Sequence, residues 1–175
     1  MSTLAAEQLA DSATPQREKQ LSRFAPEGES CEFATIDGRP VRSHPVAGRV
    51  AGRLYCFNLR TSGARVYVFE LADADRGLTL DELADRYSPQ PFFGDRSQTP
   101  ARFIKNGGLT GAEYVFIRTN YPPPNGSRTI VRRVRVFVAH DQVYMATVAC
   151  SQERQAEAEF EMTVFLDSFR VVDKP

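Results

Sequence analysis

The sequence predicts a single α+β domain built from antiparallel strands and amphipathic helices. Two stretches with a period of two, separated by two polar residues, predict a β-hairpin near the C-terminus. A stretch with a helical period follows this hairpin directly, and a second hairpin pattern lies earlier, over residues 49–71. The length of 175 residues is typical of one domain, and the hydrophobic fraction of 42% is ordinary for a globular protein.

The C-terminal hairpin has the clearest alternation in the chain. The dipeptide His140-Asp141 separates its first arm from the second arm, Val143–Ala149. This period predicts paired strands whose alternate residues point to opposite faces of a sheet. In the first arm, three valines alternate with two arginines and a phenylalanine: Val134, Val136 and Val138 with Arg133, Arg135 and Phe137.

An amphipathic helix is predicted after this hairpin, beginning near Ser151. Most of the charged residues in its early turns are acidic, which suits the N-terminus of a helix. The helix should pack its later turns into the core, because large apolar residues recur there at i, i+3, i+4 and i+7. These residues are Met162, Phe165, Leu166 and Phe169.

Residues 49–71 predict the earlier hairpin, and residues 77–87 predict a short capped helix. Residues 61–64 have the composition of a hairpin loop. Thr79 and Glu82 have the spacing of a capping box. The apolar residues of this helix share one face: Leu80, Leu83, Ala84 and Tyr87.

The other segments are shorter patterns between turns. Residues 102–105 and 112–119 are strand candidates on either side of a Gly-Gly turn. Residues 121–128 predict a loop, because they contain three consecutive prolines and an Asn-Gly pair. Residues 1–23 predict a helical arm or a frayed tail, and residues 24–175 the domain itself.

Charge and cysteine content argue against several classes of site. The 22 basic and 22 acidic residues give no net charge, so nucleic acid is not an expected partner and an anionic membrane exerts no general attraction. Cys31, Cys56 and Cys150 are far apart and form no metal-binding pattern, so we expect buried free thiols and no metal or cofactor. A Cys56–Cys150 disulfide is the open alternative.

We find neither a signal peptide nor a membrane span, and we expect a cytoplasmic protein.

The histidines and acidic pairs do not form a catalytic pattern. His44 precedes a proline, and His140 lies at a hairpin tip beside Asp141, where an adjacent aspartate cannot orient an imidazole. Asp73 and Asp75 are expected in a loop, where solvated acids make poor general acids. Nucleophile-elbow, zinc-protease and P-loop spacings do not occur. We therefore predict a protein that is not an enzyme.

The distribution of charge gives the one functional lead. Glu113 and Asp141 enclose five arginines and no acidic residue, whereas residues 151–167 hold five acids and one arginine. In one interpretation, the strand arginines pair with acids of this helix or form a solvated sheet face. In the other, they form a surface that binds an anion or a partner protein, because arginine makes bidentate contacts with carboxylates and phosphates. The candidate partner-binding residues are Arg118, Arg128, Arg132, Arg133, Arg135 and Tyr121.

Three stretches of the chain resemble PsbP-like (Mog/PsbP-type) domains. Residues 134–148, followed by Thr163-Val-Phe-Leu-Asp-Ser-Phe-Arg170, resemble the hairpin and the helix with the pattern F-x-x-S-F that close those domains. Gly108-Leu-Thr-Gly-Ala-Glu-Tyr114 resembles their G-x-x-G-x-e stretch, and residues 24–34 resemble their opening. The resemblance spans residues 24–171.

This resemblance implies an antiparallel β-sheet sandwiched between helices, an α/β/α arrangement. The family includes extrinsic subunits of the oxygen-evolving photosystem, a Ran-binding protein and bacterial proteins of unknown role, and most members are non-enzymatic binding modules. The lumenal targeting segment and the histidine pattern of the photosynthetic members do not stand out here. The resemblance implies a protein-binding or assembly module, with a protein partner of unknown identity. The alternative is a small-molecule carrier or small enzyme with a pocket between sheet and helices.

Overall fold

The computed structural model describes residues 22–35, 42–46, 51–87, 102–120 and 128–172. Both predicted hairpins, both predicted helices and both strand candidates around the Gly-Gly turn are present. The elements are β1 (Ser22–Phe24), β2 (Cys31–Thr35), β3 (Arg42–Pro45), β4 (Gly52–Asn58), β5 (Gly63–Glu70), α1 (Leu80–Tyr87), β6 (Arg102–Asn106), β7 (Leu109–Asn120), β8 (Arg128–Ala139), β9 (Gln142–Ser151), α2 (Gln155–Ser168) and β10 (Arg170–Val171).

Seven of these strands form one antiparallel sheet with the order β3-β4-β5-β9-β8-β7-β6. The strand β9 lies between β5 and β8, so it joins two groups of strands that are each consecutive in the chain. A smaller sheet has the order β1-β2-β10. The second arm of the C-terminal hairpin therefore forms the centre of the large sheet.

Two hairpins of the large sheet turn through two residues with positive φ. Gly107 (58°) and Gly108 (86°) connect β6 to β7, and His140 (51°) and Asp141 (58°) connect β8 to β9. Such turns match the twist of the strands and fix their register. Arg76 also holds the second turn, because its Nη1 lies 2.7 Å from the Asp141 carboxylate.

The helix α1 covers one face of the large sheet, which we call the α1 face. Its core residues Leu83 and Tyr87 pack among Phe69, Val134 and other buried residues of that face. The capping box is confirmed, since the Thr79 N–H donates to Glu82 at 2.8 Å and the Glu82 N–H donates to the Thr79 hydroxyl at 3.3 Å.

The helix α2 and the smaller sheet cover the opposite face, which we call the α2 face. Phe165 of α2 packs edge-on against Phe57 of β4, with ring centroids 4.8 Å apart. Phe33 of β2 stacks on the same Phe57 ring at 5.3 Å. Helices therefore lie on both faces of the sheet, and the predicted α+β sandwich is confirmed.

All three cysteines are free thiols. Cys31 and Cys150 are buried in the core of the α2 face. Burial and the nearby Glu29 carboxylate raise the pKa of the Cys31 thiol to about 12. Cys56 points to the other face, because it alternates with Phe57, so the alternative Cys56–Cys150 disulfide is not formed.

The predicted division into an N-terminal arm and a domain stays a prediction. The strand β1 begins at Ser22, and residues 1–21 lie outside the described residues. Most of the predicted loop, residues 121–127, also lies outside them. No helix in the described part of the chain has the length and apolar character needed to cross a membrane.

Candidate functional site

The strand β8 carries the predicted arginines on both faces of the large sheet. Arg133 and Arg135 point to the α2 face, because they alternate with Val134 and Val136 of the opposite core. Arg132 therefore points to the α1 face, in register with Phe116 of β7. The structure thus brings Arg133 and Arg135 together and separates them from Arg132.

Arg133 and Arg135 bind acidic residues of β7 and α2. Glu113 of β7 accepts a hydrogen bond from Arg135 Nε at 2.5 Å and lies 3.3 Å from Arg133 Nη2. On the other side, Arg133 Nη1 lies 2.8 Å from Glu159, and Arg135 Nη1 lies 2.7 Å from Asp167. We call these five residues the strand–helix network. For these two arginines, pairing with helix acids is the interpretation that the contacts support.

The strand–helix network is buried at its centre and exposed at its outer edge. The Glu113 side chain is 8% exposed, and those of Arg133 and Arg135 are 15% and 10% exposed. Burial raises the pKa of Glu113, but its bond to Arg135 and the attraction of both arginines outweigh burial, so that the pKa lies below its ordinary value. The outer acids, Glu159 and Asp167, are more than half exposed. The network can therefore hold α2 on the sheet, and Arg133 and Arg135 already have anionic partners.

The G-x-x-G-x-e stretch of the sequence positions this network. Gly108 takes the positive φ that the β6–β7 turn needs. Gly111 lies against Phe137 of β8, where an added Cβ would be 2.5 Å from the ring and 2.7 Å from the Val136 carbonyl oxygen. Two residues later, Glu113 comes into register with Arg135. Each residue that the resemblance identified in this stretch thus has a physical role.

Arg118 and Arg128, two further predicted partner-binding residues, lie near the far end of β7 and β8. Arg118 is in register with Ile130, and Arg128 is in register with Asn120. The structure describes only the backbone positions of these two arginines, and Tyr121 lies outside the described residues. Whether these residues bind a partner stays a prediction.

A buried acid that the sequence analysis left unassigned joins α2 to the β4–β5 turn. Glu161 accepts hydrogen bonds from the backbone N–H groups of Arg60 and Thr61, the latter at 2.8 Å, and from the Thr61 hydroxyl. The signal in the sequence is its spacing, since Glu161 lies four residues before the core residue Phe165 and so shares its face of the helix. An acid among the apolar positions of a helix needs a local partner.

Asp75 differs from the expectation that it lies in solvent. It is buried and accepts hydrogen bonds from Arg86 and from the Tyr87 hydroxyl, the latter at 2.9 Å. Its burial results from tertiary packing. The last turn of α1 packs against the short 3-10 helix Asp73–Asp75. Asp75 therefore anchors α1. Within the parts of the chain that the structure describes, no group of three or more histidine, cysteine or acidic side chains is arranged to hold a metal ion.

The outer side of α2 carries an exposed aromatic side chain that the sequence analysis did not identify. Phe160 is 65% exposed, whereas the core-facing residues of the same helix are buried. Helical spacing places Glu157 and Val164 beside it. We call these three residues the Phe160 surface. Helical periodicity identifies the apolar residues of the buried face, and Phe160 lies on the opposite side of the helix. The sequence pattern therefore does not indicate it.

The comparisons with known proteins find similarity in structure only. No protein-family model and no curated protein matches the sequence. The solution structure of PsbP from the cyanobacterium Synechocystis sp. PCC 6803 (CyanoP) matches with a TM-score of 0.54 and 14% identity, covering 92% of this chain and 98% of that chain.

Two further structures are more distant. A protein of unknown function from Pseudomonas aeruginosa, PA94, matches with a TM-score of 0.48 and 9% identity over 89% of this chain and 98% of that one. The Ran-binding protein Mog1p from Saccharomyces cerevisiae matches with a TM-score of 0.48 and 10% identity over 89% and 97%. The similarity to CyanoP confirms the predicted resemblance at the level of the fold: the chain has a PsbP-like α+β fold.

Proposed function

We propose that the chain is a non-catalytic protein-binding or assembly module, and that it contacts its partner through the Phe160 surface. The observation that carries this proposal is the 65% exposure of Phe160 on a helix that is firmly attached to the sheet. Burying a phenylalanine side chain in a partner would contribute about 1.5–3 kcal/mol. Aromatic residues that enter a partner's pocket commonly dominate the energy of an interface.

The charge around Phe160 indicates the kind of partner. Glu153 and Glu157 are exposed on the N-terminal side of Phe160, with Arg154 Nε 3.5 Å from Glu157, and α2 itself contains no lysine or arginine. Interfaces pair surfaces of opposite charge, which steers the encounter and disfavours wrong partners. The proposed partner therefore presents an apolar pocket bordered by basic residues.

The arginine-bearing end of β7 and β8 is the second surface that we propose. It comprises Arg118, Arg128 and Arg132, with Tyr121 following β7 in the sequence. The contribution of Arg133 and Arg135 would be indirect, since they hold α2 and β8 together through the strand–helix network. A test by charge reversal should therefore use Arg118→Glu with Arg128→Glu, because reversing Arg133 and Arg135 would disturb the fold.

The proposal is tested by affinity purification of the tagged full chain from its native cells, followed by quantitative mass spectrometry. We expect Phe160→Asp to lose the partner that the unmodified chain retains. Gln155→Asp is the matched control, because it adds the same charge to α2 at another exposed position and leaves the ring in place. Retention of the partner by Phe160→Asp would contradict the assignment of this surface.

Native mass spectrometry of the purified chain tests the alternative. A small molecule that remains bound to the monomer would contradict the binding-module proposal and support a carrier or a small enzyme. Circular dichroism of each variant establishes that a lost partner does not reflect a lost fold.

A further inference from the structure

The strand β6 ends the large sheet, since it is the last strand in the order that the described residues form. The turn at Gly107 and Gly108 determines which of its backbone groups face outward. Residues that flank a two-residue turn of this type form a hydrogen-bonded pair, and such pairs then alternate along the ladder. Asn106, Ile104 and Arg102 therefore bond to β7, and the N–H and C=O groups of Phe103 and Lys105 point away from it.

The side chains of these two outward-facing residues lie on one face of the sheet. Phe103 is in register with Ala112, and Lys105 with Thr110, so both are on the α1 face. Phe103 is 72% exposed, and Lys105 is exposed as well. An apolar ring and a cation thus stand beside backbone donors and acceptors that pair with no other described strand.

The two edges of the large sheet differ in how they are protected. The opposite edge strand, β3, ends in Pro45, and proline cannot donate a hydrogen bond to an added strand. The strand β6 has the sequence Arg-Phe-Ile-Lys-Asn, with no proline and no acidic residue. Exposed edges of this kind are templates for an incoming strand.

We propose that β6 binds an extended, acidic segment of a partner protein by strand addition. The segment pairs with the backbone of Phe103 and Lys105, and it places an apolar side chain opposite Phe103 and a carboxylate opposite Lys105. Charge favours a different protein over a second copy of this chain. Antiparallel self-pairing centred on Ile104 would place Lys105 of each copy opposite Phe103 of the other, and two strands that each carry two cations would meet with no acid in either.

This inference rests on the proposed function in one respect only: both assume that the partner is a protein. The β6 edge and the Phe160 surface consist of different residues on different elements. Phe160→Asp is therefore expected to leave binding at the β6 edge unchanged, and loss of binding at β6 leaves the test of the Phe160 surface intact. The two proposals can thus fail separately.

The probe is a capped synthetic peptide with the repeat Glu-Thr-Val-Thr, the glutamate–valine peptide, in which a glutamate and a valine two residues apart can oppose Lys105 and Phe103 on one face. It is added to the full chain, and amide hydrogen exchange is followed in NMR spectra. We expect exchange of the Phe103 and Lys105 N–H groups to slow by at least about tenfold at saturation, because each gains a hydrogen bond. The Ile104 N–H already bonds to β7, so its exchange rate should not change. The lysine–valine peptide, which has lysine in place of each glutamate, should bind at least about tenfold more weakly, because its lysine would oppose Lys105.

Three variants separate the contributions of backbone and charge. Lys105→Gln removes the charge and keeps the outward N–H. Lys105→Pro removes both and leaves the bonds of Ile104 and Asn106 to β7, so it should weaken binding of the glutamate–valine peptide by about tenfold or more beyond Lys105→Gln. Lys105→Glu keeps the backbone and should reverse the preference toward the lysine–valine peptide.

Three results would overturn the proposal. The first is evidence that the β6 edge is already paired. Such evidence would be slow exchange of the Phe103 and Lys105 amides in the free chain, or a dimer in sedimentation that pairs through β6. The second is a peptide footprint on α2 instead of β6. The third is unchanged peptide selectivity in Lys105→Glu, a variant that keeps the proposal testable even where Lys105→Pro disturbs the strand.

Discussion

Glu113 is the buried anion that Arg133 and Arg135 of the strand–helix network share, so we expect Glu113→Gln to destabilise the fold substantially. The substitution keeps the shape of the side chain and removes its charge. Removing one partner of a buried ion pair costs about 3–5 kcal/mol. Arg133 and Arg135 each keep an outer partner, at 2.8 Å and 2.7 Å. We therefore expect the free energy of unfolding to fall by about 2–3 kcal/mol, which is less than the full cost of leaving a buried charge without a partner.

Urea denaturation at neutral pH, followed by circular dichroism, measures this loss. Glu159→Gln is the matched control, because it makes the same chemical change in the same network at an acid that is more than half exposed. Exposed pairs contribute about 0–1 kcal/mol, so the control should lose less than half as much. Equal losses in the two variants would refute the reasoning that burial decides the contribution.

The pH dependence of stability provides an independent test of the same carboxylate. The pKa of Glu113 is lowered in the folded chain, so the folded state binds fewer protons than the unfolded state as the pH falls. Its contribution is complete above the unfolded pKa of about 4.3 and is lost as the pH falls through the lower folded pKa. The difference in stability between the natural chain and Glu113→Gln should be largest near neutral pH and should shrink in acid. A difference that stays constant below pH of about 4 would contradict the assignment.

Two further predictions concern the contacts of Glu161 with the β4–β5 turn and of Gly111 with Phe137. Glu161→Gln should speed hydrogen exchange at the Arg60 and Thr61 amides, because their hydrogen bonds to a charged acceptor are lost. The free energy of unfolding should fall by about 1.5–3 kcal/mol. Exchange at the natural rate would mean that the contact does not form. Gly111→Ala should cost about 1–3 kcal/mol through overpacking against Phe137. Adding Phe137→Leu should recover part of that cost in denaturation measurements, and strictly additive losses would show that the two residues do not compete for space.

The alternation of residues in β8 and the period of α2 were sufficient to predict these elements, because each one has a face that a core must cover. The same local patterns carry no information on strand order. The pairing of Tyr67 with Met145, which places β9 beside β5, joins residues far apart in the chain. The smaller sheet was also not predicted, since β1 and β10 are too short to show a period.

The candidate site was predictable in the same partial way. Alternation shows that Arg133 and Arg135 share a face, but it does not show what covers that face. The answer depends on where α2 lies, and α2 brings Glu159 and Asp167 to the two arginines. Phe160 was missed for a related reason, because helical periodicity identifies the residues of the core and passes over an apolar residue on the outer side.

The central position of β9 has a consequence for synthesis of the chain on the ribosome. The strands β3 to β5 and β6 to β8 emerge first, and each group can pair within itself. The nascent chain then holds two half-sheets, with β5 and β8 each exposing an unpaired edge that invites aggregation. Only when β9 emerges can the halves join, and only α2, later still, can cover the joined face. A chain that is cut short before Gln142 would therefore be a substrate for chaperones and proteases, not a smaller working domain.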